Sequence, residues 1–245
     1  QVTNPPIDPL RERRVMSLHT VLGPRGPLLD EAPSSAALLR FDQPVLDEGQ
    51  YAWLLARSSF RPAVLAARWR VEAGPEGMEA AVEALCDDAV AAVEAGHGAI
   101  VLSDRDVDAE HVAIPMLLAV SAVHQRLLRV GRRTRTALVA DTGDVREDHH
   151  VACLIGFGAA LVHPYLALAT ARDLAASAPT PVAPEIAADR YLTALEKGLL
   201  KTMSKMGISA VSSYRGAQIF ELLGVDGDVV DRYFIGTPWR IGGVD

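Results

Sequence analysis

The sequence predicts an α/β fold: a doubly wound, mostly parallel sheet with flanking helices, followed by the start of a second, incomplete unit. Three observations predict it. Runs at 99–102, 136–140 and 159–162 are four or five residues long and apolar apart from Thr136, too short for helices and patterned like strands covered on both faces. Each of the first two leads to an aspartate, Asp104 after Ser103 and Asp141 directly. Between them Val112, Met116, Leu117, Ala119, Val120, Val123, Leu127 and Leu128 recur at three- and four-residue spacing, a helix that Gly131 can stop. Strands joined by a crossover helix run parallel, so the sheet follows.

Taken in order, residues 3–9 contain three prolines and read as extended chain. Asp8-Pro9 is a good helix start, and Leu10, Val15, Leu18, Val21 and Leu22 give an apolar face to a helix that would run to Gly23-Pro24. Arg11, Arg13 and Arg14 share its other face, a solvated surface or a hold for an acid or a phosphate. A proline- and glycine-rich connector covers 23–35. A short strand at 36–41, a helix capped by Asp47 and a strand at 63–69 follow. Val82, Leu85, Ala89 and Val93 mark the next helix, giving four parallel strands near 63, 99, 136 and 160.

Residues 175–188, rich in alanine and proline, have the composition of a linker. Beyond it lie a helical pattern at 191–206, a short strand at 208–211 and a second helix at 215–223. One strand and two helices cannot bury a core alone.

Composition sets the class. A chain of 245 residues with 49% apolar and 22% charged residues is ordinary globular material. Its net charge of -7 argues against nucleic acid or an anionic membrane as partner. The longest near-apolar stretch, 112–123, is short of a membrane span. Cys86 and Cys153 sit in apolar helical patterns as small buried side chains, so a reducing, cytoplasmic setting is expected. The first residue is Gln1 and no signal pattern follows, which reads as a cut inside a longer chain.

Chemistry is sparse. Ligands favour the carboxyl ends of parallel strands, so Asp104, Asp141 and the His163-Pro164-Tyr165 turn mark the default crevice. Asp141 itself reads as a strand-end cap worth about 1 kcal/mol. Gly156 and Gly158 follow a helix and do not open one, so they form no dinucleotide fingerprint. Asp104, Asp106, Asp108 and Glu110 imitate a calcium loop, but Ala109 stands where a glycine is required and Pro115 where a glutamate belongs. Helix capping by Asp106 or Asp108 is the simpler role. Adjacent His149 and His150 face apart and make no zinc pair. No catalytic residue and no metal ligand are assigned.

Three long stretches supply a resemblance. QVTNPPIDPLRERRVMSL, the block from Ile100 to Leu168 and YLTALEKGLLKTMSKMGISAVSSYRGAQIFELLG closely resemble the large subunit of the glutamate synthase family, in collinear order over nearly the whole chain. The resemblance implies that residues 1–185 are that enzyme's central domain and 190–245 the truncated beginning of its FMN-binding β/α barrel. It implies a connecting scaffold and ammonia-tunnel wall between a glutaminase domain and the flavin site, in an enzyme that makes glutamate from glutamine and 2-oxoglutarate. FMN and an iron–sulfur cluster are implied for the full enzyme, none for this chain by itself. The implied partners are the glutaminase domain, the rest of the barrel, and an electron-donor subunit or ferredoxin. Met16 and Ser17, in the VMSL segment, are the implied flavin neighbours. Neither Cys86 nor Cys153 matches a cluster ligand, and the isolated chain is expected to be inactive. Two other readings stay open: an independent ligand-binding or enzymatic domain using the strand-end crevice, and a subunit-interaction module.

Overall fold

The computed structural model of the chain describes residues 5–26, 29, 33–178 and 182–244. In chain order the elements are α1 (Glu12–Val15), β1 (Thr20–Leu22), β2 (Leu39–Phe41), α2 (Glu48–Leu55), β3 (Ala63–Ala66), β4 (Arg68–Arg70) and α3 (Gly74–Glu94). There follow β5 (Ala99–Ser103), β6 (His111–Ala113), α4 (Met116–Arg129), β7 (Ala137–Asp141), α5 (Asp148–Gly156), β8 (Leu161–His163) and α6 (Tyr165–Ser177). The chain continues through α7 (Pro184–Lys205), α8 (Val211–Tyr214), β9 (Leu222–Val225), α9 (Gly227–Tyr233) and β10 (Trp239–Val244).

The central sheet is parallel, in the order β3-β5-β7-β8. Every residue of β5 and β7 is buried, which is what the unbroken apolar runs require. Ile100, Leu102, Leu138 and Ala140 join the core beneath α3, α4 and α5. Val101, Val139 and Leu161 point the other way, onto Leu22, Phe41, Tyr51 and Leu54. Both faces are therefore covered. The strands follow sequence order without reversal, so the second layer comes from β1, β2 and α2 rather than from further crossovers.

Three small pairs complete the sheets among the described residues: antiparallel β1–β2 and β4–β6, and a parallel β9–β10 pair joined through α9. Helix α7 lies against α5 and α6, and its Leu192, Leu195, Leu199 and Met203 belong to the main core.

Several elements depart from the sequence pattern. The helix expected over 10–22 is only the short α1, after which the chain extends into β1. Leu10 and Val15 are 89% and 50% exposed, so the first half of the apparent stripe buries little, while Leu18 and Leu22 are buried from extended chain and Thr20 and Val21 pair with β2. The strand expected at 208–211 is a single parallel bridge, Ser17 to Ala210, before α8. The helix expected at 215–223 is loop leading into β9. The presumed linker at 175–188 is largely the end of α6 and the start of α7, with 179–181 outside the described residues. Asp47 does cap α2, in a reciprocal box with Gln50. The amino end of α4 is capped by Asp144, whose Oδ2 accepts from the Met116 amide at 2.8 Å, and not by Asp106 or Asp108.

Candidate functional site

Register builds a row of polar side chains at the carboxyl end of the sheet. Ser103 pairs with Asp141, and Asp141 with His163. The three lie two residues beyond Val101, Val139 and Leu161, so they emerge on the same face, beneath α2. The chain before α2 runs along β8: Leu46 N donates to Val162 O and Val162 N to Pro44 O, each at 2.8 Å. That contact sets Glu48 and Tyr51 over the row.

Asp141 is the hub. It has no exposed surface, and it accepts from His163 Nδ1 at 2.7 Å, Ser103 Oγ at 2.8 Å, Arg105 Nε at 2.8 Å and Tyr51 OH at 3.0 Å. Burial pushes its carboxyl up, but the hydrogen bonds from His163, Arg105 and Ser103 outweigh burial and hold it below its usual value. The Tyr51 hydroxyl is pushed up by burial and by the Asp141 charge. Its ring stacks on His163, centroids 4.3 Å apart and planes 16° from parallel. The His163 Nε2 is 3.3 Å from Glu48 Oε2 without hydrogen-bond geometry, so the imidazole lies between two carboxylates.

Asp104, one residue beyond Ser103, turns the other way. It accepts from Thr142 Oγ1 at 2.5 Å and from the Gly143 amide at 3.0 Å. Here burial wins over these bonds, and the carboxyl is pushed up. The guanidinium of Arg105 lies 4.1 Å from the Tyr165 ring centroid.

The default crevice is thus one cluster, uniting Asp104, Asp141, His163 and Tyr165. Its chemistry is that of a clamp. The Asp141 carboxylate is buried and holds four side chains, three on Oδ2 and one on Oδ1, and Ser103 donates to Asp141 rather than to His163, so no nucleophile relay forms. Glu48, Tyr51 and Arg105 were not singled out from sequence. Arg105 directly follows Ser103-Asp104 and could have been; Tyr51, 90 residues from Asp141, carries no such signal.

The Met16–Ser17 segment lies elsewhere, zipped onto the chain between α7 and α8. The Ser17 amide donates to Ser209 O at 2.8 Å and Val211 N donates to Ser17 O at 3.2 Å. Ile7 N is bound to Ser204 O at 2.8 Å on the same seam. Met16 is half-buried and packs against the main core, while the Ser17 hydroxyl accepts from the His19 amide at 3.1 Å.

Burial pushes the thiols of Cys86 and Cys153 up to about 11, and they lie in different helices, α3 and α5. Neither suits a metal thiolate. Among the described residues no group of three or more His, Cys, Asp or Glu side chains could hold a metal ion, and no helix is long and apolar enough to cross a membrane. A groove of about 640 Å³ opens between α3, α4 and α9, lined by Met78, Val82, Leu117, Leu118, Val229 and Phe234. It is apolar and away from the Asp141 cluster.

The family described as "Glutamate synthase central domain" matches residues 1–226. The chain belongs to the glutamate synthase family. It is 44% identical to the ferredoxin-dependent glutamate synthase, chloroplastic, of Oryza sativa over 257 aligned residues, covering all of this chain and 16% of that protein. Identity to the NADH glutamate synthase of Schizosaccharomyces pombe is 43%, again over all of this chain and 12% of the other. For the large chain of the NADPH glutamate synthase of Bacillus subtilis the figures are 40%, all of this chain and 16%. The chain therefore spans about a sixth or less of the relatives it matches. Among solved structures, a flavocytochrome b2 variant with benzoylformate aligns at 18% identity and a TM-score of 0.46, covering 75% of this chain and 41% of that one.

Proposed function

We propose that this chain is the connecting segment of a glutamate synthase, a scaffold and ammonia-tunnel wall between a glutaminase domain and a flavin site. In this reading residues 1–185 form the central domain and 190–245 open the FMN-binding barrel. The observation that carries it is the seam between Met16–Ser17 and residues 209–211. Backbone hydrogen bonds there tie the amino-terminal segment to the barrel side of the boundary, which is where a passage between two active centres needs a rigid wall.

The division of labour follows from the residues. The Asp141 clamp locks β5, β7, β8 and α2 into a stiff frame. The seam holds Met16 and Ser17 to the barrel side. The backbone N–H and C=O of Ser17 are both spent on the seam, so its hydroxyl and the Met16 thioether are what remain to border a flavin. A half-buried, polarizable methionine suits contact with an aromatic ring system. FMN, when bound in the full enzyme, would supply the electrons that reduce 2-iminoglutarate to glutamate. Cys86 and Cys153, on different helices and with thiols pushed up by burial, do not fit as ligands of the iron–sulfur cluster.

The partners in this reading are the glutaminase domain, the remainder of the barrel, and ferredoxin or an electron-donor subunit, in the cytoplasm. The test is spectral. In the full-length enzyme Met16→Leu should shift the bound flavin's absorbance while glutaminase turnover stays unchanged. A flavin spectrum identical to that of the parent enzyme would remove Met16 from the flavin site.

A further inference from the structure

At the amino end of the same sheet, opposite the Asp141 clamp, three arginines from distant parts of the sequence converge. Arg133 and Arg215 are fastened to consecutive carbonyls before β8: Arg133 Nη2 donates to Gly158 O at 2.8 Å, and Arg215 Nε to Ala159 O at 3.1 Å. Arg133 spends its other groups on Thr136 O at 2.9 Å and His124 Nδ1 at 2.8 Å. Arg215 Nη2 donates to Thr20 Oγ1 at 3.2 Å. Arg25 joins the same rim, since its amide donates to Thr134 O at 2.8 Å.

Every one of these partners is neutral. His124 is neutral too, because its Nδ1 accepts from Arg133; burial, with Arg133 and Arg215, pushes it down to about 3. Among the described residues, the charges acting on Arg133 are those of Arg215 and Arg25, and the charge acting on Arg215 is that of Arg25. No carboxylate is among them. Arg133 and Arg215 are half-buried and Arg25 is exposed, so the rim is open on one side. Half-buried guanidinium groups are ordinarily paired, because a desolvated charge without a counter-charge is costly. Here two planar forks are held rigidly by neutral acceptors and face a third cation, leaving Arg215 Nη1 and the Arg25 guanidinium with no hydrogen-bond partner among the described residues.

We propose that Arg25, Arg133 and Arg215 form a binding site for a dianionic oxyanion, the phosphate group of a small molecule, at the amino end of β7 and β8. Arg215 and Arg25 make the contacts, and Arg133 is a positioning residue, each of its three nitrogens bonded, to His124, Thr136 and Gly158. Three positive charges match a phosphate dianion better than a single carboxylate, and guanidinium forks suit its tetrahedral oxygens. The site does not depend on the flavin-side reading above.

The experiment is thermal melting of the chain with inorganic phosphate added at constant ionic strength in chloride. A saturable rise in Tm is expected, roughly 5–10 °C at a hundredfold excess over Kd for a domain of this size. Arg25→Gln and Arg215→Gln should each weaken the apparent affinity at least tenfold, whereas Arg240→Gln, on an exposed pair with Glu221, should not. Because the Arg25 side chain is exposed, its replacement leaves the packing intact even if Arg215→Gln fails to fold. An absent or non-saturating response would overturn the site, as would an equal response to acetate. So would a response that appears only after Asp30→Asn with Glu31→Gln, two acids outside the described residues, because the counter-charge would then lie within the chain.

Discussion

The two ends of the parallel sheet handle charge in opposite ways. At the carboxyl end, Asp141 is wholly buried yet surrounded by donors: the Arg105 guanidinium, 2.8 Å away, balances its charge, and His163, Ser103 and Tyr51 donate to it. At the amino end, Arg133 and Arg215 are bonded only to carbonyls, a hydroxyl and an imidazole, and repel each other. The same strands thus finish in a balanced cluster on one side and an unbalanced one on the other. A cluster that is charge-balanced and saturated with hydrogen bonds stabilises the fold; one left with net charge is where an external ion has something to gain.

Breaking the balanced end should have the largest effect. Asp141→Ala strands the Arg105 and His163 donors in a buried site, and loss of about 3–5 kcal/mol by urea denaturation at pH 7 is the expected result. That exceeds the strand-end cap read from sequence, because a cap serves one or two amides and Asp141 serves four side chains. The sign with pH follows from the lowered carboxyl. The contribution is present above the unfolded-state value of about 3.9 and is lost as pH falls through the folded value below it, so the parent and Asp141→Asn should converge in acid. A gap between them that does not narrow as pH falls below about 3.9 would contradict the charge-balanced picture.

Breaking the unbalanced end should cost less. Arg133→Met removes one member of a repelling pair but leaves Thr136 O, Gly158 O and His124 Nδ1 without their donor. A net loss of about 1–3 kcal/mol is expected in the same denaturation assay. A loss equal to that of Asp141→Ala would mean that the two ends are balanced alike.

The smallest effect sharpens the contrast with an acid. Glu196 on α7 has a buried Oε1 without a partner, and burial, with the nearby Asp189 charge, pushes its carboxyl up to about 7. With the folded value raised above the ordinary 4.5, stability from the protonated form is present below 4.5 and is lost as pH rises through about 7. Glu196→Gln should therefore match the parent at pH 4 and melt at a higher temperature at pH 8. Identical melting at both pH values would show that Glu196 is fully hydrated.

Much of this was legible in the sequence, for particular reasons. The runs before Asp104 and Asp141 are buried strands because nothing polar interrupts them, and the ends of those strands named the residues that cluster. The partners that decide what the cluster does are not legible: Tyr51 and Glu48 reach it only because the chain at 44–46 pairs with β8. Residues 10–22 misled because apolar spacing resembles a helix even where the side chains end up exposed, while Thr20 and Val21 answer to β2. Arg133 sits in GRRTR, a run that reads as ordinary surface, and its burial depends on the distant Gly158 turn.

The most direct measurement of the connecting role is the ratio of glutamine hydrolysed to glutamate formed by full-length enzyme carrying Met16→Trp. A bulky ring on the seam should obstruct passage between the two centres, so hydrolysis in excess of glutamate formation is predicted. A ratio identical to that of the parent enzyme, with the variant folded and its flavin bound, would contradict a tunnel-wall role for the segment that carries Met16 and Ser17.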